Sequence, residues 1–561
     1  MKKHVLFHLT WLISLLLVIV LIGQARATPD DDTRLHLPVV ARDAIFFTTN
    51  IPAYGIVFIN SAETRSDAQQ LANAQITGAK WDRWPMYWNR IEQTQGQFSW
   101  AYQDEATIAD MAAGFQINAI LLGTPPFYTT GIATQSELPA DEMTFSPIAH
   151  GFRRINAATP LGLYTPTFTD GTDIPGPGKQ INPTNVWARF VHTAVNRYKP
   201  GGVIAQAQNW PAGVGITHWE MWNEPDLSFF WDGTVADYAR LLKVGYAAAK
   251  QADAAAQILF GGLANDGGHL TYYDDVLDIY DSDPLAGQFA YFHDILATHN
   301  YFYAWRTWYH VFRAKNSQTA HGLNKPIWLN ESGVPAWNDY PGPTWEPTSP
   351  YRATMNESAD FAIQNAFYAT YAGATAIFHF QLYDGCGNQP GGTDFPPHNG
   401  ELCGLPQYPI CAGDAFGLYR NPTDAACFRQ HPQPETPRPV MTAYQVLTTY
   451  FHDVEPYWRL RPGGSNPADG PQEWIAFYQP QTGDRIVGMW ARVGTAQTAV
   501  IPATSTTALL VYPDGMTNII TPTNGVYSIP LPAATNLSAP WDPTLHAIGG
   551  RPVILIEQDP H

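Results

Sequence analysis

A (β/α)8 TIM barrel followed by a C-terminal β-sandwich is the fold class the sequence predicts, and three observations predict it. Short apolar runs, suited to strands covered on both faces, alternate with stretches of helical spacing across residues 51–455. Two of those runs end on the same polar pair, Asn223-Glu224 and Asn330-Glu331, 107 residues apart, which leaves room for about three βα units between them. From Trp458 onward the pattern turns to short alternating strands with turn signals at Pro513-Asp514-Gly515 and Asn524-Gly525.

In chain order, Lys2 and Lys3 precede an apolar run from Leu9 to Ile22, followed by Ala25-Arg26-Ala27. This predicts a secretory signal over residues 1–27, cleaved after Ala27. An uncleaved anchor is the alternative, although Trp11 to Ile22 is shorter than a full span. No later run is long and apolar enough to cross a bilayer. Residues 28–50 read as a linker with a possible accessory strand. Barrel strands are predicted at Tyr54 to Asn60, Ala79 to Arg83, Ile117 to Gly123, Thr217 to Asn223, Gln257 to Leu263, Ile295 to Tyr301, Pro326 to Glu331 and Ala376 to Leu382. Helices are predicted at Ser61 to Ala74, at Asp104 to Phe115 with Gly114 as its stop, from Asn182 to Tyr198, and at Val235 to Ala252, Ser358 to Ala372 and Val440 to Phe451. The Pro-, Gly- and Thr-rich residues 125–181 read as a substrate-shaping insertion on the catalytic face. In the terminal region, residues 456–561, strands are predicted at Trp474 to Tyr478, Arg485 to Arg492, Leu509 to Tyr512, Val526 to Ile529 and Pro552 to Glu557.

The composition, 45% hydrophobic and 14% charged, suits a large core and excludes wholesale disorder. The net charge of −18 argues against a nucleic-acid partner, which would need a basic stripe. The four cysteines, Cys386, Cys403, Cys411 and Cys427, fall in one loop-rich stretch after the eighth strand. In an exported protein they read as two disulfides, with three pairings open. A zinc site is the weaker reading, because no Cys-x-x-Cys pair is present. No cofactor or metal is expected: no glycine-rich phosphate loop follows a strand, and histidines such as His379 stand singly.

Glu224 lies in Thr217-His218-Trp219-Glu220-Met221-Trp222-Asn223-Glu224-Pro225-Asp226, an apolar strand stopped by proline. A helix start is the bland reading of that acid. Lys325-Pro326-Ile327-Trp328-Leu329-Asn330-Glu331-Ser332-Gly333 repeats the design. Asn330-Glu331-Ser332 is formally a glycosylation sequon but reads as part of a buried strand. Barrel chemistry is built at the C-terminal ends of strands, and two facing carboxylates are the minimal apparatus for cutting a glycosidic bond.

The ordered set resembles clan A retaining glycoside hydrolases, closest in pattern to family 39 and its neighbours. It includes Trp222-Asn223-Glu224-Pro225 and Asn330-Glu331-Ser332-Gly333. Upstream are Gly78-Ala79-Lys80-Trp81-Asp82-Arg83, Trp88, Ile91-Glu92, Gly96, Phe98-Ser99-Trp100 and Asp104. Thr124-Pro125-Pro126 and Thr298-His299-Asn300-Tyr301 complete it. The likeness covers residues 50 to 455. It implies a secreted enzyme acting on a carbohydrate substrate, with Glu224 as general acid/base and Glu331 as nucleophile. It also implies that Arg83 and Tyr301 bond near the nucleophile and that Asn223 reaches the sugar 2-hydroxyl, with His299 beside them. The clan places a Trp at the end of strand eight; here Tyr383 or Phe380, or a loop Trp such as Trp305, Trp337 or Trp345, would serve instead. Retention implies carboxyl groups about 5–5.5 Å apart. A barrel that only binds carbohydrate and a transglycosylase using the same residues are the competing readings. The sugar, its linkage and the oligomeric state stay open at this point.

Overall fold

Eight parallel strands close on themselves: β1 (Ala53–Val57) pairs with β2 (Trp81–Tyr87) on one side and with β8 (Ala374–Phe380) on the other. Between them run β3 (Gln116–Leu122), β4 (His218–Asn223), β5 (Gln257–Leu263), β6 (Ile295–Tyr301) and β7 (Ile327–Gly333). The computed structural model describes residues 52–62, 67–129, 156–228, 230–265, 269–336, 338–339, 353–387, 412–423, 431–463, 469–539 and 542–558. The predicted signal segment and linker, Trp337, Trp345, Cys403, Cys411 and Cys427 lie outside the described residues. So does the side chain of Cys386, whose backbone sits in β9 (Gly385–Gly387), paired with β10 (Ala412–Asp414).

Each barrel strand is followed by a helix: α1 (Ala68–Ile76), α2 (Ala101–Ala113), α3 (Val186–Tyr198), α4 (Val235–Ala252), α5 (Tyr272–Asp281), α6 (Arg306–Ala320), α7 (Met355–Ala372) and α8 (Pro439–Tyr450). Their ends follow local chemistry. α2 stops at Gly114, whose φ of 85° lets the chain leave in a left-handed turn. Capping boxes open α4 (Thr234 with Asp237) and α7 (Thr354 with Glu357). The helices α5 and α6 have no counterpart in the sequence reading. α6 is the more polar of the two, with an apolar stripe interrupted by Arg306, Arg313, Lys315 and Asn316.

The barrel is filled in layers. Low in the interior, His218 packs between Trp81 and Trp328, with ring centroids 4.6 and 5.1 Å away. Phe378 occupies the room left by Gly55, where a Cβ would lie 2.3 Å from its ring. The outward side chains Trp219, Met221 and Trp222 face the helices, Trp222 lying edge-on to Trp187 of α3 at 6.1 Å.

The C-terminal region forms a six-stranded antiparallel sheet in the order β11 (Glu455–Leu460), β12 (Gln472–Tyr478), β13 (Arg485–Ala491), β18 (Val553–Glu557), β15 (Ala508–Val511), β16 (Thr517–Ile520). One face packs on a two-stranded ribbon, β14 (Gln497–Pro502) with β17 (Val526–Leu531), giving a sandwich core that holds Trp474, Val487, Ile501, Tyr527 and Leu555. The other face meets the barrel: Phe477 lies edge-on to Phe367 of α7 at 5.5 Å, and Tyr368 donates to Glu473 at 2.8 Å. Among the described residues no helix is long and apolar enough to cross a membrane.

Candidate active site

β4 delivers its polar end by a change of phase. Strict alternation would send Glu220 inward and then Trp222 inward. Trp222 instead takes φ 76° and Glu224 takes φ 43°, both left-handed. Trp222 therefore turns out to the helices, and Asn223, paired with Gly262 of β5, turns in. Glu224 follows at the rim, its N–H donating to the Gly262 carbonyl at 2.9 Å.

Glu331 sits near the end of β7. A carboxylate oxygen of Glu331, one of Glu224 and a ring nitrogen of His299 lie within 4.8 Å of one another. Arg83 from β2 and Tyr301 from β6 both donate to Glu331. Arg83 also donates to Asn223 Oδ1 at 2.8 Å. His299 Nδ1 lies 2.7 Å from Glu224 Oε1 and 3.5 Å from Glu331 Oε2. The fold thus brings Arg83, Asn223, Glu224, His299, Tyr301 and Glu331 into one cluster at the C-terminal mouth of the barrel.

The two acids differ in electrostatics. Burial, reinforced by the charges of Glu331 and Asp226, pushes Glu224 up to about 7 against the opposing pull of His299. Glu331 is equally enclosed, and burial alone would raise it, but His299, Arg83 and Tyr301 together hold it below the usual glutamate range. Burial works against charge on His299, yet the two glutamates outweigh it and raise its pKa.

Tyr383 is not brought to this cluster. Its hydroxyl accepts from Asn73 of α1 at 2.9 Å and donates to Glu435 at 3.3 Å. The aromatic side chain that β8 places by the acids is Phe380, edge-on to Tyr301 at 5.8 Å and backed by Phe416.

Several members of the site were missed in the sequence. Glu220 lies beneath Arg83, paired through Arg83 Nε and Nη2 at 2.8 Å each. Its signal was an acid inside a Trp- and Met-rich strand, four residues before Glu224. Gly262 makes room for His299, since a Cβ there would fall 2.1 Å from Nε2. Asp226 accepts the N–H groups of Ala264 and Asn265, fixing the end of β5. Tyr87, at the end of β2, has its hydroxyl pKa raised by burial and the nearby Glu331 charge.

Glu224, His299 and Glu331 also have the spacing of a metal ligand set. Arg83, bonded to Glu331 and 3.5 Å from His299 Nε2, puts a fixed positive charge at that spot and opposes a cation. A second triad, Asp278, Asp281 and His321, lies at the surface and is joined by its own His–Asp contacts.

Solved structures share this architecture. A family 39 glycoside hydrolase from the gut symbiont Bacteroides cellulosilyticus WH2 superposes over 90% of this chain and 81% of its own, with a TM-score of 0.54 and 16% identity. A GH30 endoxylanase from Clostridium papyrosolvens C71 matches over 91% of this chain and 97% of its own, with a TM-score of 0.50 and 10% identity. The chain has their fold. The family 39 likeness carried by the strand-end motifs points the same way. No protein-family model and no curated protein sequence matches the chain.

Proposed function

We propose that this protein is a retaining glycosidase that hydrolyses O-glycosidic bonds of oligo- or polysaccharides by double displacement, with Glu224 as general acid/base and Glu331 as nucleophile. The observation that carries this reading is the pair itself: two strand-end carboxyl groups with oxygens within 4.8 Å, one held protonated toward neutral pH and the other held ionised. So close an approach of their oxygens favours direct attack by Glu331 over an arrangement that keeps the carboxyl groups apart to admit a water, as in inverting enzymes.

In the first step Glu224 gives its proton to the leaving oxygen while Glu331 attacks the anomeric carbon. His299, donating from Nδ1 to Glu224 Oε1, leaves the other oxygen of Glu224 to carry that proton. In the second step Glu224, now ionised, takes a proton from water, and the water displaces Glu331. Arg83 and Tyr301 hold the nucleophile between the two steps. Asn223, fixed by Arg83, is the side chain offered to the sugar 2-hydroxyl, a contact that strengthens in the oxocarbenium-like transition state. The basic n-region and apolar run before Ala27 support export of the mature enzyme.

The test is a panel of aryl glycosides. Wild type is expected to release phenol from at least one. Glu331→Ala is expected to lose that activity and to regain glycosyl transfer when azide is added. Protein that binds sugars but turns over none of the panel would overturn the reading.

A further inference from the structure

We propose that Glu220 is a positioning residue: it divides the positive charge of Arg83, so that Glu331 receives only a share of it and keeps its strength as a nucleophile. This rests on the glycosidase reading for its consequence in catalysis, but not for its electrostatics.

Glu220 is fully buried, and four N–H groups point at its two oxygens. Oε1 accepts from Arg83 Nη2 and from the backbone of Gly262, each at 2.8 Å. Oε2 accepts from Arg83 Nε and from Asn330 Nδ2, also at 2.8 Å each. Every donor is fixed: one by a backbone, one by the residue next to Glu331, and two by a guanidinium. A carboxamide in that place would turn its own N–H groups toward two of them, so only the ionised carboxylate satisfies the set.

Arg83 is itself fully buried and spends its fork on Glu220, its Nη1 on Glu331 and its second Nη2 hydrogen on Asn223. One guanidinium thus serves two carboxylates. Were Glu220 neutral, Glu331 alone would answer the whole charge and would become a weaker base. Glu220 also links β4 to β2, β5 and β7, the strands that carry Arg83, Gly262 and Asn330. It therefore sets the place from which Arg83 reaches Glu331.

Two variants and two readouts test this. With 13C-carboxyl glutamate, NMR titration follows Glu331 in wild type, Glu220→Gln and Glu220→Asp. The midpoint of Glu331 is expected to fall by about one pH unit in Glu220→Gln, as expected when a neighbouring like charge is removed. Glu220→Asp, which draws its carboxylate back from Arg83 by one methylene, is expected to move it the same way by less, and it stands in if Glu220→Gln does not fold. On an aryl glycoside that wild type hydrolyses, kcat of Glu220→Gln is expected to fall about tenfold with KM changed less than about threefold, and the acid limb of kcat/KM to move down with the NMR midpoint. An unchanged or raised Glu331 midpoint in a folded variant overturns the proposal. Absence of hydrolysis in wild type would overturn the glycosidase reading alone, because the NMR titration still decides the role of Glu220.

Discussion

His299 Nδ1 lies 2.7 Å from Oε1 of Glu224, a contact between β6 and the end of β4 that spans 75 residues of sequence. The same nitrogen is 3.5 Å from Glu331. A single imidazole therefore lowers the pKa of both acids. His299→Ala removes that influence, so both limbs of the pH–rate profile should move to higher pH. The descending limb, set by loss of the Glu224 proton, should lie near 7 in wild type and above it in the variant. Activity at the optimum should fall by about 10²-fold, the scale of one general acid–base partner. Profiles measured on one aryl glycoside check this; a descending limb that moves down instead would refute the assignment.

Tyr301 donates to Glu331 and helps hold it ionised. Tyr301→Phe removes a donor but keeps the ring against Phe380. The ascending limb, which reports ionisation of Glu331, should therefore move to higher pH while the descending limb stays. The expected loss in kcat is about 10²-fold, as for removal of one preorganised donor. An unshifted ascending limb would show that the phenol does not tune the nucleophile.

Gly262→Ala places a Cβ 2.1 Å from His299 Nε2, well inside van der Waals contact. The strand cannot shift without breaking the bond from the Gly262 N–H to Glu220. We expect a loss of about 1–3 kcal/mol in stability from overpacking, with kcat reduced in parallel with His299→Ala. Thermal unfolding and kinetics on the same preparation measure both; a variant with wild-type kinetics would mean that His299 has room that the geometry denies it.

Tyr383→Phe provides a contrast. Its hydroxyl ties the β8–α8 loop to α1 through Asn73, away from the acids. Steady-state constants should stay within about twofold of wild type, and stability should drop by about 1 kcal/mol, the net worth of a typical hydrogen bond. A large fall in kcat would place the tyrosine in the substrate path after all.

Most of the barrel was legible because each parallel strand is buried on both faces and reads as a dense apolar run. β5 and β6 begin and end where the sequence puts them, and so does α4. The polar helix α6 was not legible, because its short apolar stripe is broken by charged and amide side chains. The strands β14 and β16 were also missed: β16 is an edge strand whose side chains are mostly exposed, and β14 buries Ala499 and Ile501 but exposes the apolar Val500 between them, which hides its alternation in the sequence. In the site, the two glutamates stood out by their positions at strand ends, and Arg83 by the family resemblance; β2 runs on past the predicted end at Arg83 to Tyr87, so the arginine lies inside the strand. The loss of alternation at Trp222 did not stand out, because a left-handed φ at a tryptophan leaves no mark in the sequence. Glu220 was hidden for the opposite reason: period-two spacing marks it as inward, but only the folded barrel shows four donors waiting for it.

The central claim is that Glu331 attacks carbon while Glu224 carries the proton. Proton NMR of the first sugar released from an aryl glycoside that the enzyme hydrolyses, recorded before mutarotation, tests it most directly. Product with the anomeric configuration of the substrate is the result this account predicts; product with the opposite configuration would contradict it.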